Sequence, residues 1–385
     1  MSALQVVSLP AHAVSRILVT SDIHGHIGHL DALLERVGFG GDDFLVVVGD
    51  LIEKGPHCLA VVRRLMGLCK QGRALVLQGN VDNRVMLTLD TLRRDKTDAE
   101  DVLNYLYYMR NWKGSSFFDD LCREAVGDVP HTQDELFASL DVVYDRFGDV
   151  LDFVRTLPTV LKTDHYAFVH GGIPQDITMS LLQSDASTDS YPFLKLDRFL
   201  EHVRAQNRVF DRYVVCGHWP TALYSMGAPC MNVVFDHTHR VICLDGGCGI
   251  KRDGQLNMLI LPHISCDAQE ITCLSHSDFE TITADHPQQA SDDPFSVRWT
   301  DSAVRVTALF DDCAEVEHIS TQKRMLAPLS FLYGFDAPLA VGTSCNLGDC
   351  TDYRLPVKTG DVLSVIAKTT RGWYAKADGV SGWYI

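Results

Sequence analysis

Asp22 and His24 stand two residues apart at the end of a short apolar run, Arg16–Thr20. A carboxylate oxygen and an imidazole nitrogen so spaced can reach one divalent ion, and such donors suit Mn2+, Fe2+, Zn2+ or Mg2+. Four further blocks repeat this placement. Asp43–Val48 runs into Gly49-Asp50, and Arg73–Gln78 into Gly79-Asn80-Val81-Asp82. Tyr166–Val169 runs into His170-Gly171-Gly172, and Tyr213–Cys216 into Gly217-His218-Trp219. Glycine beside each polar residue permits a sharp turn and close backbone approach. A single Asp-x-His pair says little. Five blocks at the ends of successive apolar runs point to one polyvalent cation site.

Those runs read as buried strands. Between them, Ile27–Val37 and Cys58–Lys70 carry apolar residues at helical spacing. Strand–helix–strand units of this length predict a parallel sheet with right-handed crossovers. In open α/β sheets ligands bind outside the carboxyl ends of the strands, where all five blocks lie. From Arg84 to about Leu161 the pattern turns helical, most clearly at Ala99–Arg110 and Gln133–Leu157. Strands return at Val241–Leu244 and Asn257–Leu261. The segment 266–296 is polar and holds Pro287 and Pro294, so it reads as a linker or irregular stretch. Beyond it the helical period disappears. Short runs at Arg305–Leu309, Ala314–Ile319, Val362–Ala367, Trp373–Ala377 and Trp383–Ile385 predict a small all-β region over 297–385.

The 385 residues carry 34 Lys+Arg against 50 Asp+Glu, a net charge of −16, which argues against a nucleic-acid-binding surface. The same charge would repel an anionic substrate unless bound metal reverses the sign locally. The 12 cysteines are scattered without a CxxC pair, which fits a reducing compartment rather than a disulfide framework. The N-terminal MSALQVVSLP has no positively charged start and no long apolar stretch. The expectation is a cytoplasmic protein with no membrane span.

In order, Asp22-x-His24, Gly49-Asp50, Gly79-Asn80, His170 and Gly217-His218 resemble the calcineurin-like metallophosphoesterases. DIHGH, GDLIEKGP, LPTVLKTDHYAFVHGGIP and VVCGHW resemble the phosphoprotein-phosphatase branch, with its bacterial Ser/Thr phosphatases and symmetrical diadenosine tetraphosphate hydrolases. The resemblance covers about residues 16–262. It implies an α/β fold, a β-sandwich flanked by helices, over residues 1–265. It also implies that Asp22 and His24 hold one ion, that Asp50 bridges two, and that Asn80, His170 and His218 complete the second. The cofactor would be two divalent ions, Mn2+ foremost, with Fe, Zn or Mg as alternatives, about 3.5–4 Å apart and activating a hydroxide for attack on phosphorus. Asp50, Asn80 and Lys54 would be catalytic, and Lys54, His26, Arg84 and Trp219 would contact substrate. The implied reaction is hydrolysis of phosphate monoesters or pyrophosphate bonds, most like a Ser/Thr protein phosphatase. Dinucleoside polyphosphate hydrolysis, or a weakened phosphatase-like scaffold, is the alternative.

Two positions depart from the family. Where a proton-donating His is usual stands Val81, and where the Asp-Arg-Gly sequence is usual stands Glu53-Lys54-Gly55. Lys offers phosphate a point charge without the two-pronged fork of Arg. Other residues have plainer readings. His26 and His29 fit a helix start, His57 a loop, and Arg84 a surface ion pair. Trp219 fits core packing as well as a pocket wall. Tyr105, Tyr107, Tyr108 and Met109 fit core packing. The loop Gln175–Asn207 is expected to shape the substrate pocket. At the C-terminus, GDVLSVIAKTTRGWYAKADGVSGWYI resembles a bacterial SH3-like domain at about 335–385. It would bind a peptide, its own catalytic domain or a second copy. The expected partner of the whole chain is a phosphorylated protein or small molecule.

Overall fold

The computed structural model describes residues 3–9, 15–179, 182–225 and 227–385. The chain divides into two units. The first holds Met1–Pro220, Val233–Ile250 and Gly254–Ser277, and the second holds Thr221–Asn232, Lys251–Asp253 and Asp278–Ile385.

Two sheets build the first unit. In one, the order is Thr272–His276, Leu256–Leu261, Ile17–Thr20, Phe44–Val48 and Ala74–Leu77. The last three strands run parallel, with Val19 opposite Val46 and Val47 opposite Val76. The other sheet runs Val234–Asp236, Val241–Cys243, Tyr213–Cys216, Tyr166–Val169, Val160–Lys162 and Val6–Val7. Its strands Tyr166–Val169 and Tyr213–Cys216 are also parallel.

Side-chain alternation explains the continuous apolar runs. Ile17, Val19, Phe44, Val46 and Val48 pack with Tyr166, Phe168, Val215 and Ile242 of the second sheet. Their neighbours Leu18, Leu45 and Val47 pack instead with helix residues such as Leu30, Leu33, Val61 and Leu65. A strand buried on both faces cannot alternate apolar with polar residues. This is an α/β sandwich with helices on the outer face of its parallel strands. The helices are Ile27–Arg36, Cys58–Lys70, Asn80–Arg94, Ala99–Lys113 and Phe117–Val126, followed by Gln133–Arg146 and Gly148–Arg155. The predicted single helix Gln133–Leu157 is therefore two. It breaks at Phe147, whose ψ of 27° leaves the helical region just before Gly148, a residue that weakens a helix interior by about 1 kcal/mol.

Antiparallel strands make the second unit. One sheet orders Arg324–Pro328, Cys313–His318, Ala303–Leu309, Ser344–Leu347 and Leu332–Tyr333. Another orders Glu280–Thr283, Val362–Thr369, Gly372–Ala377 and Val380–Tyr384. Two short excursions of the chain, Thr221–Asn232 and Lys251–Asp253, are tied into it. Arg298 Nη2 donates to Ser225 O at 2.8 Å, Lys376 Nζ donates to Asp253 O at 2.9 Å, and Lys251 pairs with Asp349.

The domain limits read from the sequence need correction here. The segment 266–296 is not irregular, because it carries strands Thr272–His276, Glu280–Thr283 and Phe295–Val297. The first two lie at the edges of their sheets and are largely exposed, so their composition is polar and hides them. No helix among the described residues is long and apolar enough to cross a membrane, and no disulfide joins the cysteines.

Candidate metal centre

Three parallel strands of one sheet and two of the other end on one cluster. Asp22 follows Ile17–Thr20, Asp50 follows Phe44–Val48, and Asn80 opens the helix after Ala74–Leu77. His170 and His218 follow Tyr166–Val169 and Tyr213–Cys216. Donor atoms of Asp22, His24 and Asp50 lie within 4.8 Å of one another, and all three residues are buried. His170 Nε2 is 3.3 Å from Asp50 Oδ1 and 3.1 Å from Asn80 Oδ1. His218 Nδ1 is 2.9 Å from the same Asn80 oxygen, and His24 Nε2 is 3.6 Å from Asp50 Oδ2. Asp50 thus lies between the Asp22/His24 side and the Asn80/His170/His218 side.

The backbone is bent to achieve this. Asp22, His24, Asp50 and His218 all have positive φ, between 46° and 67°. Such conformations cost non-glycine residues roughly 1 kcal/mol or more and concentrate at functional sites. The turn Gly49–Ile52 is held by Asp82, whose Oδ1 accepts from Leu51 N at 2.9 Å and whose Oδ2 accepts from Gly79 N at 2.9 Å. At Gly79 a β-carbon would run into the Asp50 side chain and backbone, so only glycine lets the helix start approach that carboxylate. The ring nitrogens turned from the cluster are fixed too. His24 Nδ1 lies 3.1 Å from Ile52 O, and His170 Nδ1 lies 2.8 Å from Val48 O. Carbonyls there orient the imidazoles with Nε2 inward.

Burial dominates the electrostatics. It lifts the Asp22 carboxyl to about 6 and lowers His24 to about 3 and His218 to about 4, so both imidazoles are neutral donors near pH 7. Burial also pushes Asp50 upward, but the charge of His170, its hydrogen bond, and the charges of His24 and Lys54 together outweigh it and hold Asp50 below the ordinary carboxylate range. Burial would lower His170, yet Asp50 and Asp22 carry it to about 10. Asp82 is lifted to about 7 by burial and then by Asp50. Asp245, fully buried, is pushed well above its usual value by burial and then by Asp22. Buried acids in this number call for added positive charge, and mixed carboxylate, amide and imidazole donors suit divalent ions.

The remaining predicted residues fall in different places. Lys54 is half-buried with Nζ 3.3 Å from His24 Nε2, so its charge faces the cluster. Trp219 is half-buried directly after His218, with the Arg198 guanidinium 6.0 Å from its ring. His26 caps the helix Ile27–Arg36, and its ring lies 5.1 Å from that of His29. Arg84 is exposed and stands over Tyr105 at 5.8 Å. It borders a cavity of about 310 Å³ lined also by Glu53, Val102 and Phe118. Tyr107 and Tyr108, expected in the core, are exposed at 67% and 52%, because they lie on the outer face of Ala99–Lys113. Tyr105 is half-buried and Met109 is buried as expected.

The two positions that depart from the family have different surroundings. Val81 is 2% exposed and packed in the helix-side core, while its amide donates to Asp50 Oδ1 at 2.9 Å. Glu53 is fully engaged by other groups. Its Oε2 accepts from Tyr105 Oη and its Oε1 from Phe117 N, both at 2.9 Å.

Sequence reasoning missed Asp245 and Asp197. Asp245 follows the strand Val241–Cys243 and precedes Gly246-Gly247, the same signature as the other blocks, and was findable. Asp197 Oδ1 lies 2.8 Å from His218 Nε2 and comes from the Gln175–Asn207 loop, where no local pattern marks it. That loop holds the strand Asp185–Asp189 and the helices Tyr191–Leu194 and Phe199–Ala205, and residues 180–181 of it lie outside the described residues.

Comparison with known proteins gives the same grouping. The symmetrical bis(5'-nucleosyl)-tetraphosphatase of Baumannia cicadellinicola subsp. Homalodisca coagulata is 32% identical, over 54% of this chain and 83% of that protein. The protein of the same name from Ralstonia nicotianae is 26% identical over 42% of this chain, and only 53% of its own length is spanned. Among solved structures, a protein serine/threonine phosphatase from Saccharomyces cerevisiae aligns with 14% identity over 72% of this chain and 86% of that one, with a TM-score of 0.41. Residues 15–244 match the calcineurin-like phosphoesterase family, and the chain belongs to that family.

Proposed function

We propose that this phosphoesterase hydrolyses phosphoric anhydrides of the dinucleoside polyphosphate type, using two divalent ions, Mn2+ foremost. Asp22 and His24 would hold one ion, Asp50 both, and Asn80, His170 and His218 the other. Bound there, the ions would supply an acidified water as nucleophile and positive charge for the phosphoryl oxygens. The chain's own residues do the rest. Asp82 fixes the turn that presents Asp50. Asp197 orients His218 through its outer nitrogen. Lys54 offers a cation to the phosphate.

The observation that carries the choice of substrate is Val81, an apolar side chain sealed in the core. It has no proton to give a leaving oxygen. A serine alkoxide leaves poorly without one, whereas a nucleotide phosphate or an aryl oxide leaves unaided. Lost general-acid assistance is typically worth about 10²–10⁴-fold. The names of the curated relatives support the same reading. At the other end of the chain, Trp373–Ala375 pairs with Gly382–Tyr384 so that Tyr374 faces Trp383 and Trp373 faces Tyr384. This pairing supports the SH3-like module read from the sequence. The test is kcat/KM, with Mn2+, on diadenosine tetraphosphate, p-nitrophenyl phosphate and a phosphoserine peptide. The first two should exceed the peptide by roughly 10²-fold or more. Equal rates on the peptide would reject the assignment.

A further inference from the structure

We propose that the first unit holds a third metal site, of the structural zinc type, formed by His26, His29, Cys248 and His276. None of these residues belongs to the cluster around Asp50.

Separate stretches of chain bring them together. His26 and His29 lie three residues apart across the first turn of the helix Ile27–Arg36 and so share one of its faces. Cys248 lies in the turn after Val241–Cys243, and His276 ends the strand Thr272–His276. Donor atoms of His26, His29 and Cys248 all lie within 4.8 Å of one another. The ring of His276 is 5.3 Å from that of His29, and the ring of His29 is 5.1 Å from that of His26. Around a tetrahedral zinc ion the donors stand about 3.3–3.8 Å apart, so His26, His29 and Cys248 need close by only about 1 Å. His276 shares the 4.8 Å spacing with His29 but not with the other two, and its side chain must swing further to become the fourth ligand.

Chemistry favours a soft, borderline cation. Three imidazoles and a thiolate match Zn2+ in a closed four-coordinate site, and they are poor ligands for Mg2+ or Ca2+. The surroundings are shaped for the first ring. A β-carbon on Gly55 would stand 2.8 Å from His26 Cδ2 and 2.9 Å from its Nε2, so glycine there makes room for the imidazole. Cys248 is 3% exposed, while the three histidines are half-buried, which gives an ion a route in from the histidine side. Such a site would tie the helix after Asp22-x-His24 to the edge strand Thr272–His276 and brace the turn that carries both residues.

The test uses the full-length protein stripped with chelator and reloaded with Zn2+ alone. Elemental analysis should give about three ions per chain in the wild type and about two in Cys248→Ser and in His276→Gln. The second variant lies on an exposed edge strand and remains informative if the first does not fold. Reloading with Co2+ should give a thiolate-to-metal charge-transfer band that Cys248→Ser removes. The band should persist in Asp50→Asn, which separates this proposal from the two-metal reading. Equal zinc content in the wild type and in a folded variant, or a cobalt spectrum unaltered by Cys248→Ser, would overturn it.

Discussion

The strand Phe44–Val48 of the first unit is buried at every position, whereas Glu280–Thr283 of the second is exposed at all but one. The first lies between two cores and ends on a buried carboxylate. The second is an edge with one side in solvent. Positive φ follows the same division. In the second unit it falls on Asp293, Gln322 and Asp378, in turns, where Asp and Asn types tolerate it. In the first it falls on Arg198, Asn207 and Arg240 as well, but also on Asp22, His24, Asp50, Glu53, Lys54 and His218 in and beside the cluster. The second unit buries charge singly, as at Asp253 and Lys376, whereas the first gathers several buried carboxylates and imidazoles in one cluster.

The largest test of this contrast is Asp50→Asn. It should remove most bound divalent metal and lower kcat/KM on diadenosine tetraphosphate by several kcal/mol, or roughly 10³-fold. Tyr384→Phe in the second unit should change kcat/KM by less than about twofold. Metal content and rates in both variants decide it, and an active, metal-loaded Asp50→Asn would remove the basis of the contrast.

Next in size is the pH dependence of stability. Burial lifts Glu53 from 4.5 to about 7 in the folded protein. The folded state keeps that proton through a range in which the unfolded chain has lost it. The contribution of Glu53 to stability is therefore full below about 4.5 and declines as pH rises to about 7, by roughly 3 kcal/mol at most. Denaturant unfolding of the metal-free protein should show this decline, and Glu53→Gln should lack its share. In the second unit the sign reverses. The Tyr384 hydroxyl beside Asp285 holds that carboxyl below its usual range, so its small contribution is lost as pH falls. A Glu53→Gln profile parallel to the wild type would show that this carboxylate is not strained by burial.

A smaller effect is expected from removing the second unit. The obvious cut, near residue 290, severs Glu280–Thr283 from its partner Val362–Thr369. A cut after Ser277 respects the boundary but still strips Ser225 and Asp253 of Arg298 and Lys376. The truncated protein should bind metal and hydrolyse p-nitrophenyl phosphate while losing on the order of 2 kcal/mol of stability. Full stability after truncation would show that the two excursions hold themselves.

The smallest effect is at Val81. Val81→His should raise kcat/KM on a phosphoserine peptide by about tenfold relative to p-nitrophenyl phosphate. It should also cost about 1–3 kcal/mol, because a larger side chain enters a filled core. The gain is limited because Glu53 is already engaged by Tyr105 and Phe117 and cannot orient the new ring. An unchanged ratio would mean that another residue supplies the proton.

Much of this was written in one dimension. Apolar runs ending in Gly and a polar residue marked Asp22, Asp50, Asn80, His170 and His218, because a doubly buried strand can change character only at its end. Helix Cys58–Lys70 and strand Tyr166–Val169 were legible to the residue, since their periods are uninterrupted. Edge strands Thr272–His276 and Glu280–Thr283 were not, because exposure permits the composition of a linker. Nor could local pattern show that Thr221–Asn232 leaves one unit for the other, or that Asp197 reaches His218. It could not show that Glu53 is bound by Tyr105 and Phe117, or that His26, His29 and Cys248 meet. Those pairings join residues far apart in the chain, and they are set by the packing of sheets and helices, which no short window of sequence contains.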